Sequence, residues 1–136
     1  MAFFAWTDEL SVGNELIDSQ HKRLISIIND FHNAADKGDT KSAIRKVVGT
    51  LVYYVGTHFT DEEKLMEEYK YPQLGLHKRM HEHLTQQVAE YAEKLKAEQP
   101  ILKLDMAIFL KGWLQDHIAE TDKKYGLHIA QQKNKT

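Results

Sequence analysis

The chain contains no cysteine. Disulfide bonds, thiolate metal sites, thiolate-held iron–sulfur clusters and thiol catalysis are therefore all excluded. Any metal ion that this protein binds must be held by nitrogen and oxygen atoms, which in side chains means mainly imidazoles and carboxylates.

Long apolar runs and an excess of positive charge are also missing. No stretch approaches the roughly 18 consecutive apolar residues of a membrane span. The short run Phe3-Phe4-Ala5-Trp6 lacks the basic region and the cleavage site of a signal peptide. We therefore expect a soluble cytoplasmic protein without membrane insertion. The net charge of −2, with mixed signs on surface positions, argues against a nucleic-acid partner, which favours a basic stripe.

The length of 136 residues, with 42% apolar residues, predicts one domain over residues 1–136. Apolar residues recur every three or four positions in segments that predict helices over residues 15–37, 41–69, 73–97 and 101–118. Breaks are expected at Pro72 and Pro100, because the residue before proline disfavours helical angles. Residues 1–14 are predicted to form an extended arm that packs its aromatic residues on the body. Residues 119–136 are predicted to form a short C-terminal extension with a frayed, polar end.

Four amphipathic helices with short connections predict an all-α fold, an antiparallel up-down-up-down four-helix bundle. Within it, histidine is the compositional oddity, since the chain has eight. Five of them lie on the apolar seams of the helices, namely His21, His58, His77, His81 and His117. Glu62 follows His58 by one turn on the same face.

These six side chains are expected at one height in the bundle. At about 1.5 Å per residue, the five histidines lie near those helix ends that antiparallel packing brings together. A single seam histidine is ordinarily a core residue whose ring nitrogens bond a backbone carbonyl or water. Histidines satisfied independently have no reason to share a height, whereas a metal centre requires it. A buried carboxylate also needs a partner. We therefore predict a metal site at this level.

Asp122 is the second candidate carboxylate ligand, but its position is awkward. It follows His117 by five residues, a rotation of about 140° on a straight α-helix. It can reach the site only if the helix kinks, widens or stops. The prediction therefore includes a break between Ile118 and Asp122.

The remaining polar residues are assigned to other roles. His32, His83 and His128 are predicted on the surface, and Asp61, Glu63, Glu67 and Glu68 on a solvated face. Tyr125 either donates a hydrogen bond to a carboxylate ligand or caps the core. Gly56 is a candidate for the close approach of a neighbour.

The predicted ligand types do not determine which metal would bind. Imidazole and carboxylate ligands suit iron, zinc, manganese or copper. Five imidazoles and two carboxylates are too many for one ion, and carboxylates can bridge, so a centre of two metal ions is favoured.

The sequence resembles the bacterial members of the hemerythrin family. The matching segments are Ile17-Asp18-Ser19-Gln20-His21-Lys22, His58-Phe59-Thr60-Asp61-Glu62, His77 through His81, and Trp113-Leu114-Gln115-Asp116-His117-Ile118 continuing to Asp122 and Tyr125. They lie on all four predicted helices, between about residues 6 and 128, and no ligand position of the family is missing.

The resemblance implies a non-haem di-iron centre, bridged by an oxo or hydroxo group, that binds O2 reversibly for transport, storage or delivery. By similarity, one iron is held by His77, His81 and His117, the other by His21 and His58, and both by the bridging carboxylates of Glu62 and Asp122. The second iron then has an open position for O2. The pocket wall carried over by position is Leu24, Ile28, Phe59, Trp113, Leu114 and Ile118, with Tyr125 behind the ligands.

The expected function is binding, without enzymatic turnover and without catalytic residues. Apolar walls provide no proton and limit the entry of water, which favours reversibility over oxidation. An oxygen-consuming protein is the expected receiving partner. Two alternatives stay open, a di-iron oxidase, peroxidase or nitric oxide reductase at the same site, and a module that senses O2, redox state or nitric oxide.

Overall fold

The structure, a computed structural model, describes residues 5–38 and 40–133. The first residues of the predicted arm, Asp39 and the last residues of the polar C-terminus lie outside the described residues. Helices α1 (Glu15–Asp36), α2 (Thr40–Glu68) and α3 (Leu74–Lys96) form three members of the bundle. The fourth runs through α4 (Lys103–Gly112), a π-helical segment (Trp113–Asp122) and α5 (Lys123–Lys133). Within the described ranges no residue is in a β-strand, and the predicted antiparallel four-helix bundle is confirmed.

The connections between helices follow from local sequence. The side chain of Asn14 caps α1 by accepting a hydrogen bond from the amide of Ile17 at 3.1 Å. Helices α2 and α3 end alike, with Lys70 and Glu98 in the left-handed region at φ of 53° and 54°. The amides that follow them bond back five residues, as in a Schellman motif, just before Pro72 and Pro100. These tight ends reverse the chain and make neighbouring helices antiparallel.

The fourth helix differs from its prediction. Its expected end at residue 118 is wrong, because the described chain continues as helix through Lys133. Most of the expected C-terminal extension is therefore part of the bundle. Tyr125 and Ile129 are buried there.

The arm is not extended throughout. Residues Asp8–Leu10 form one short 3-10 turn. Asp18 of α1 fixes the segment that follows, accepting hydrogen bonds from the hydroxyl of Ser11 and the amide of Val12. Trp6 packs on the core as expected, with Lys22 Nζ 5.0 Å from its ring centroid.

The core consists of two apolar clusters with a polar layer between them. The larger cluster includes Leu24, Val55 and Ile118. The smaller cluster is made of Val12, Ile17, Leu65, Met66, Tyr125 and Ile129. In α1, His21 lies between residues of the two clusters, and the same order recurs in α2 and the fourth helix. Among the described residues, no helix is long and apolar enough to cross a membrane.

Close packing requires glycine at Gly126, not at Gly56. A Cβ built on Gly56 meets nothing within 4 Å, so the expectation of a close neighbour there is wrong. A Cβ on Gly126 would lie 2.8 Å from the Cα of Val12. The α5 backbone thus packs directly against the arm.

We expect Gly126→Ala to destabilise the protein by about 1–3 kcal/mol, because the added methyl group displaces the Val12 backbone. The matched control, Gly56→Ala, should be neutral or stabilise by up to about 1 kcal/mol, since alanine is the better helix former. Urea unfolding followed by circular dichroism measures both. Equal effects of the two substitutions would contradict the packing argument.

Candidate metal centre

The polar layer consists of seven buried side chains from all four helices. These are His21, His58, Glu62, His77, His81, His117 and Asp122, each at most 6% exposed. They are the seven residues predicted from the sequence as ligands. The structure therefore brings together every one of them, over a chain separation of about a hundred residues.

The seven side chains form two overlapping groups. One contains Glu62, His77, His81, His117 and Asp122, and the other His21, His58, Glu62 and Asp122. Within each group, one ligand atom from every residue lies within 4.8 Å of all the others. The two carboxylates belong to both groups. This sharing matches the arrangement expected for two ions joined by carboxylate bridges.

The nitrogen atoms of the groups point at the carboxylates without forming hydrogen bonds. His58 Nε2 lies 2.8 Å from Glu62 Oε1, and His77 Nε2 lies 2.9 Å from Asp122 Oδ1. The Nε2 atoms of all five histidines are nevertheless buried without a hydrogen-bond partner. Buried polar atoms are normally satisfied. A cluster of such atoms around shared carboxylates is what a metal-binding site provides. The residues present are therefore suited to hold metal ions.

The π-helical segment places Asp122 in the layer. On an α-helix its side chain would point away from His117, but a π-helix bonds residues five apart, which puts positions i and i+5 on one face. The two side chains accordingly meet, with His117 Nε2 3.1 Å from Asp122 Oδ1. The hydroxyl of Thr121 bonds the carbonyl of Asp116, also five residues back. Of the three predicted ways of bringing Asp122 inward, the helix uses widening.

Charges within the layer shift the pKa values of its members. Burial by itself would lower the pKa of His21, but the carboxylates of Asp122 and Glu62 outweigh it and raise this pKa to about 10. The pKa of Glu62 is held well below its usual value, because His58 and His21 outweigh the effect of burial. The carboxylates thus stay ionised and require positive charge. Metal ions would provide that charge while displacing protons from the imidazoles.

Two histidines of the polar layer are supported on their outer side, one directly and one through an amide, by acids that were predicted on a solvated face. His81 Nδ1 donates to Glu63 Oε2 at 2.8 Å. Asp61 Oδ2 accepts a bond at 2.8 Å from the amide of Gln20, whose oxygen contacts His58. Glu63 and Asp61 are partly exposed, as a solvated face requires, but the sequence analysis missed these bonds and did not single out Gln20. The surface prediction holds for Glu67 and Glu68, which are exposed.

The histidines predicted outside the site do lie outside it. His83 is exposed. His32 is partly exposed, with Nε2 3.4 Å from Asp36. His128 is more enclosed than predicted, because its Nε2 bonds the carbonyl oxygen of Tyr69.

Tyr125 fulfils both of the roles considered for it. Its hydroxyl donates to Glu62 Oε2 at 2.5 Å. Its ring is fully buried in the smaller apolar cluster. Burial and the neighbouring carboxylates raise the pKa of Tyr125 well above its usual value, so the hydroxyl keeps its proton and can donate.

The six residues predicted to form an apolar wall all belong to the larger cluster and are at most 4% exposed, namely Leu24, Ile28, Phe59, Trp113, Leu114 and Ile118. Phe59 stacks flat on the ring of His81 with 3.8 Å between the centroids. A small apolar molecule next to the ligands would therefore be shielded from solvent.

Comparisons with known proteins agree on one family. The model of the hemerythrin HHE cation binding domain matches residues 12–126. The chain is 38% identical to the bacteriohemerythrin of Stenotrophomonas maltophilia, over 92% of this chain and 80% of that protein. The identity is 33% to the bacteriohemerythrin of Methylococcus capsulatus, over 93% and 96%, and 30% to the myohemerythrin of Theromyzon tessulatum, over 90% of each.

Solved structures of hemerythrin share the fold. The wild-type crystal structure superposes with a TM-score of 0.80 at 30% identity, covering 92% of this chain and 96% of that one. A leucine-to-alanine variant gives a TM-score of 0.82 at 29% identity, covering 94% and 98%.

Proposed function

Since the chain belongs to the hemerythrin family, we propose that it binds O2 reversibly at a pair of iron ions, for transport, storage or delivery to an oxygen-consuming protein. The observation that carries the proposal is the pair of overlapping ligand groups with two carboxylates in common. Iron at this site would supply the electrons for binding O2. The chain's own residues must then hold the ions, leave room for O2 and exclude water.

The two groups differ in their number of imidazoles, which supports an assignment of the ligands. His77, His81 and His117 would hold one ion, His21 and His58 the other, and Glu62 and Asp122 both. With a bridging oxo or hydroxo group, the first ion would have six donor atoms and the second would have five. The second ion would then keep an open position, which a binding function requires.

The apolar wall supports binding and release over turnover. The side chains of Leu24, Leu114 and Ile118 are buried and provide neither a proton nor a charge. If the irons are to stay oxidised while the bound O2 leaves the site in a reduced form, protons and water are required. A wall that provides neither protons nor water should slow this oxidation, so the bound O2 can dissociate unchanged.

We expect about two iron ions per chain and a visible absorption spectrum that appears in air, disappears under argon and returns in air. The control is the same chain loaded with zinc, which has no redox chemistry and should show no such cycle. Sustained O2 consumption in the presence of a reductant would indicate an enzyme. Irreversible bleaching in the first cycle would contradict the proposed function.

A further inference from the structure

The ring of His58 is held on its outer side by a chain of two hydrogen bonds between α1 and α2. His58 Nδ1 lies 2.7 Å from Gln20 Oε1, and Gln20 Nε2 lies 2.8 Å from Asp61 Oδ2. The backbone carbonyl of Gln20 also accepts a bond from the hydroxyl of Tyr54, whose ring packs beside that of His58. Gln20 is thus fixed at both its backbone and its side chain.

The two bonds allow only one arrangement of protons. Asp61 can only accept when ionised, so the NH2 group of Gln20 must face it and the amide oxygen must face His58. His58 must then carry its proton on Nδ1 and present a free Nε2 lone pair to the buried layer. A flipped amide would put oxygen against the carboxylate and NH2 against the ring N–H, losing both bonds.

A second ligand histidine offers a comparison within the same site. His81 Nδ1 donates directly to the carboxylate of Glu63. A carboxylate partner makes an imidazole a stronger donor to its metal, which stabilises the oxidised ion. On the Nδ1 side of His58, by contrast, the neutral amide of Gln20 stands between the ring and the carboxylate of Asp61.

We propose that Gln20 is a positioning residue of the metal centre: with its orientation set by Asp61, it fixes the tautomer of His58 and keeps the Asp61 carboxylate from bonding Nδ1 of that ring directly. The inference rests on the proposed function in one respect, the assignment of His58 to the ion with the open position. Weaker donation by His58 would favour the reduced state of that ion. The pair Gln20 and Asp61 would then protect the form that binds O2.

A double substitution tests the placement of charge without changing its amount. Gln20→Glu/Asp61→Asn exchanges amide and carboxylate along the same hydrogen-bond chain, so the net charge of −2 is unchanged. We expect a lower reduction potential for the iron-loaded variant and oxidation in air about tenfold faster. The matched control is Glu67→Gln on the exposed face of α2, which should leave both values unchanged.

The single substitution Asp61→Asn tests positioning, with zinc as a diamagnetic probe. Without the Asp61 carboxylate, the amide of Gln20 is no longer held in one orientation. The hydrogen bond from His58 Nδ1 to the amide oxygen of Gln20 should therefore weaken. In the zinc-loaded protein, the Nδ1–H signal of His58, assigned by its loss in His58→Ala, should exchange with water about tenfold faster. The corresponding signal of His81 should not change, because Glu63 is untouched.

The proposal requires both results. An unchanged reduction potential in the double variant, or an unchanged exchange rate in Asp61→Asn, would overturn it. The reduction potential and the exchange rate are both measured without O2. They therefore decide this proposal even if the argon and air cycle shows that the protein does not bind O2 reversibly.

Discussion

Replacing His58 by alanine should leave a folded bundle with about half of its iron and no difference between spectra in argon and in air. The group of ligands that contains His58 has only one other imidazole, that of His21, beside the two shared carboxylates. The other group keeps its three histidines. We therefore expect selective loss of the ion with the open position.

The fold should survive because the substitution removes a side chain that is not fully hydrogen-bonded in the metal-free protein. His58 Nε2 is buried without a hydrogen-bond partner. Loss of ring packing and of the bond to Gln20 should cost about 2 kcal/mol in the metal-free protein. Helix content, measured by circular dichroism, verifies that the variant is folded.

The matched control is His83→Ala on α3. It removes the same imidazole from an exposed position two residues from His81. Iron content and the reversible spectrum should equal those of the unmodified protein. Full iron loading with a normal O2 cycle in His58→Ala would refute the assignment of His58 as a ligand.

Convergence of the five histidines and Glu62 was predictable because it depends on properties of single helices. Seam positions follow from the spacing of three and four residues, and heights follow from the rise per residue. The breaks at Pro72 and Pro100 then make the helices antiparallel. That these residues bind metal remains a prediction, but their meeting in one buried layer is a property of the fold.

The form of the fourth helix was not predictable in the same way. A kink, a widening and a stop each bring Asp122 inward, and no residue in the segment distinguishes them. A continued helix had a visible sign, because Ile118, Asp122, Tyr125 and Ile129 follow one another in steps of four, three and four. The expected end at residue 118 ignored that continuation.

The supporting acids were missed for a different reason. Helical periodicity assigns Asp61 and Glu63 to positions beside the seam of α2, but it does not show which side chains of other helices reach them. His81 of α3 extends to Glu63, and Gln20 of α1 extends to Asp61. Each contact depends on the packing of two helices, which the pattern within one helix does not determine.

Shortening Leu114 to alanine should speed oxidation of the O2-binding form about tenfold, because the hydrophobic shell controls the access of water and protons to a metal site. Leu114 is fully buried in the apolar wall, three residues before His117 on the same helix. Leu114→Asp should have a larger effect where the variant folds, since it brings a carboxyl group into that wall. The measurement is the rate at which the air-dependent spectrum decays to the oxidised form at constant temperature and pH.

Loss of stability alone could also expose the irons, so the control must carry an equal cavity elsewhere. Leu51→Ala removes the same side chain from the same apolar cluster, seven residues from His58 and thus about 10 Å along α2. Both leucine-to-alanine variants should lose about 2–5 kcal/mol of unfolding free energy. We expect only the substitution at Leu114 to speed oxidation, because Leu114 lies three residues from His117, whereas Leu51 lies seven residues from His58. Equal oxidation rates in the two variants would show that general loosening of the core, and not the wall beside the metal layer, determines how long the reduced form survives.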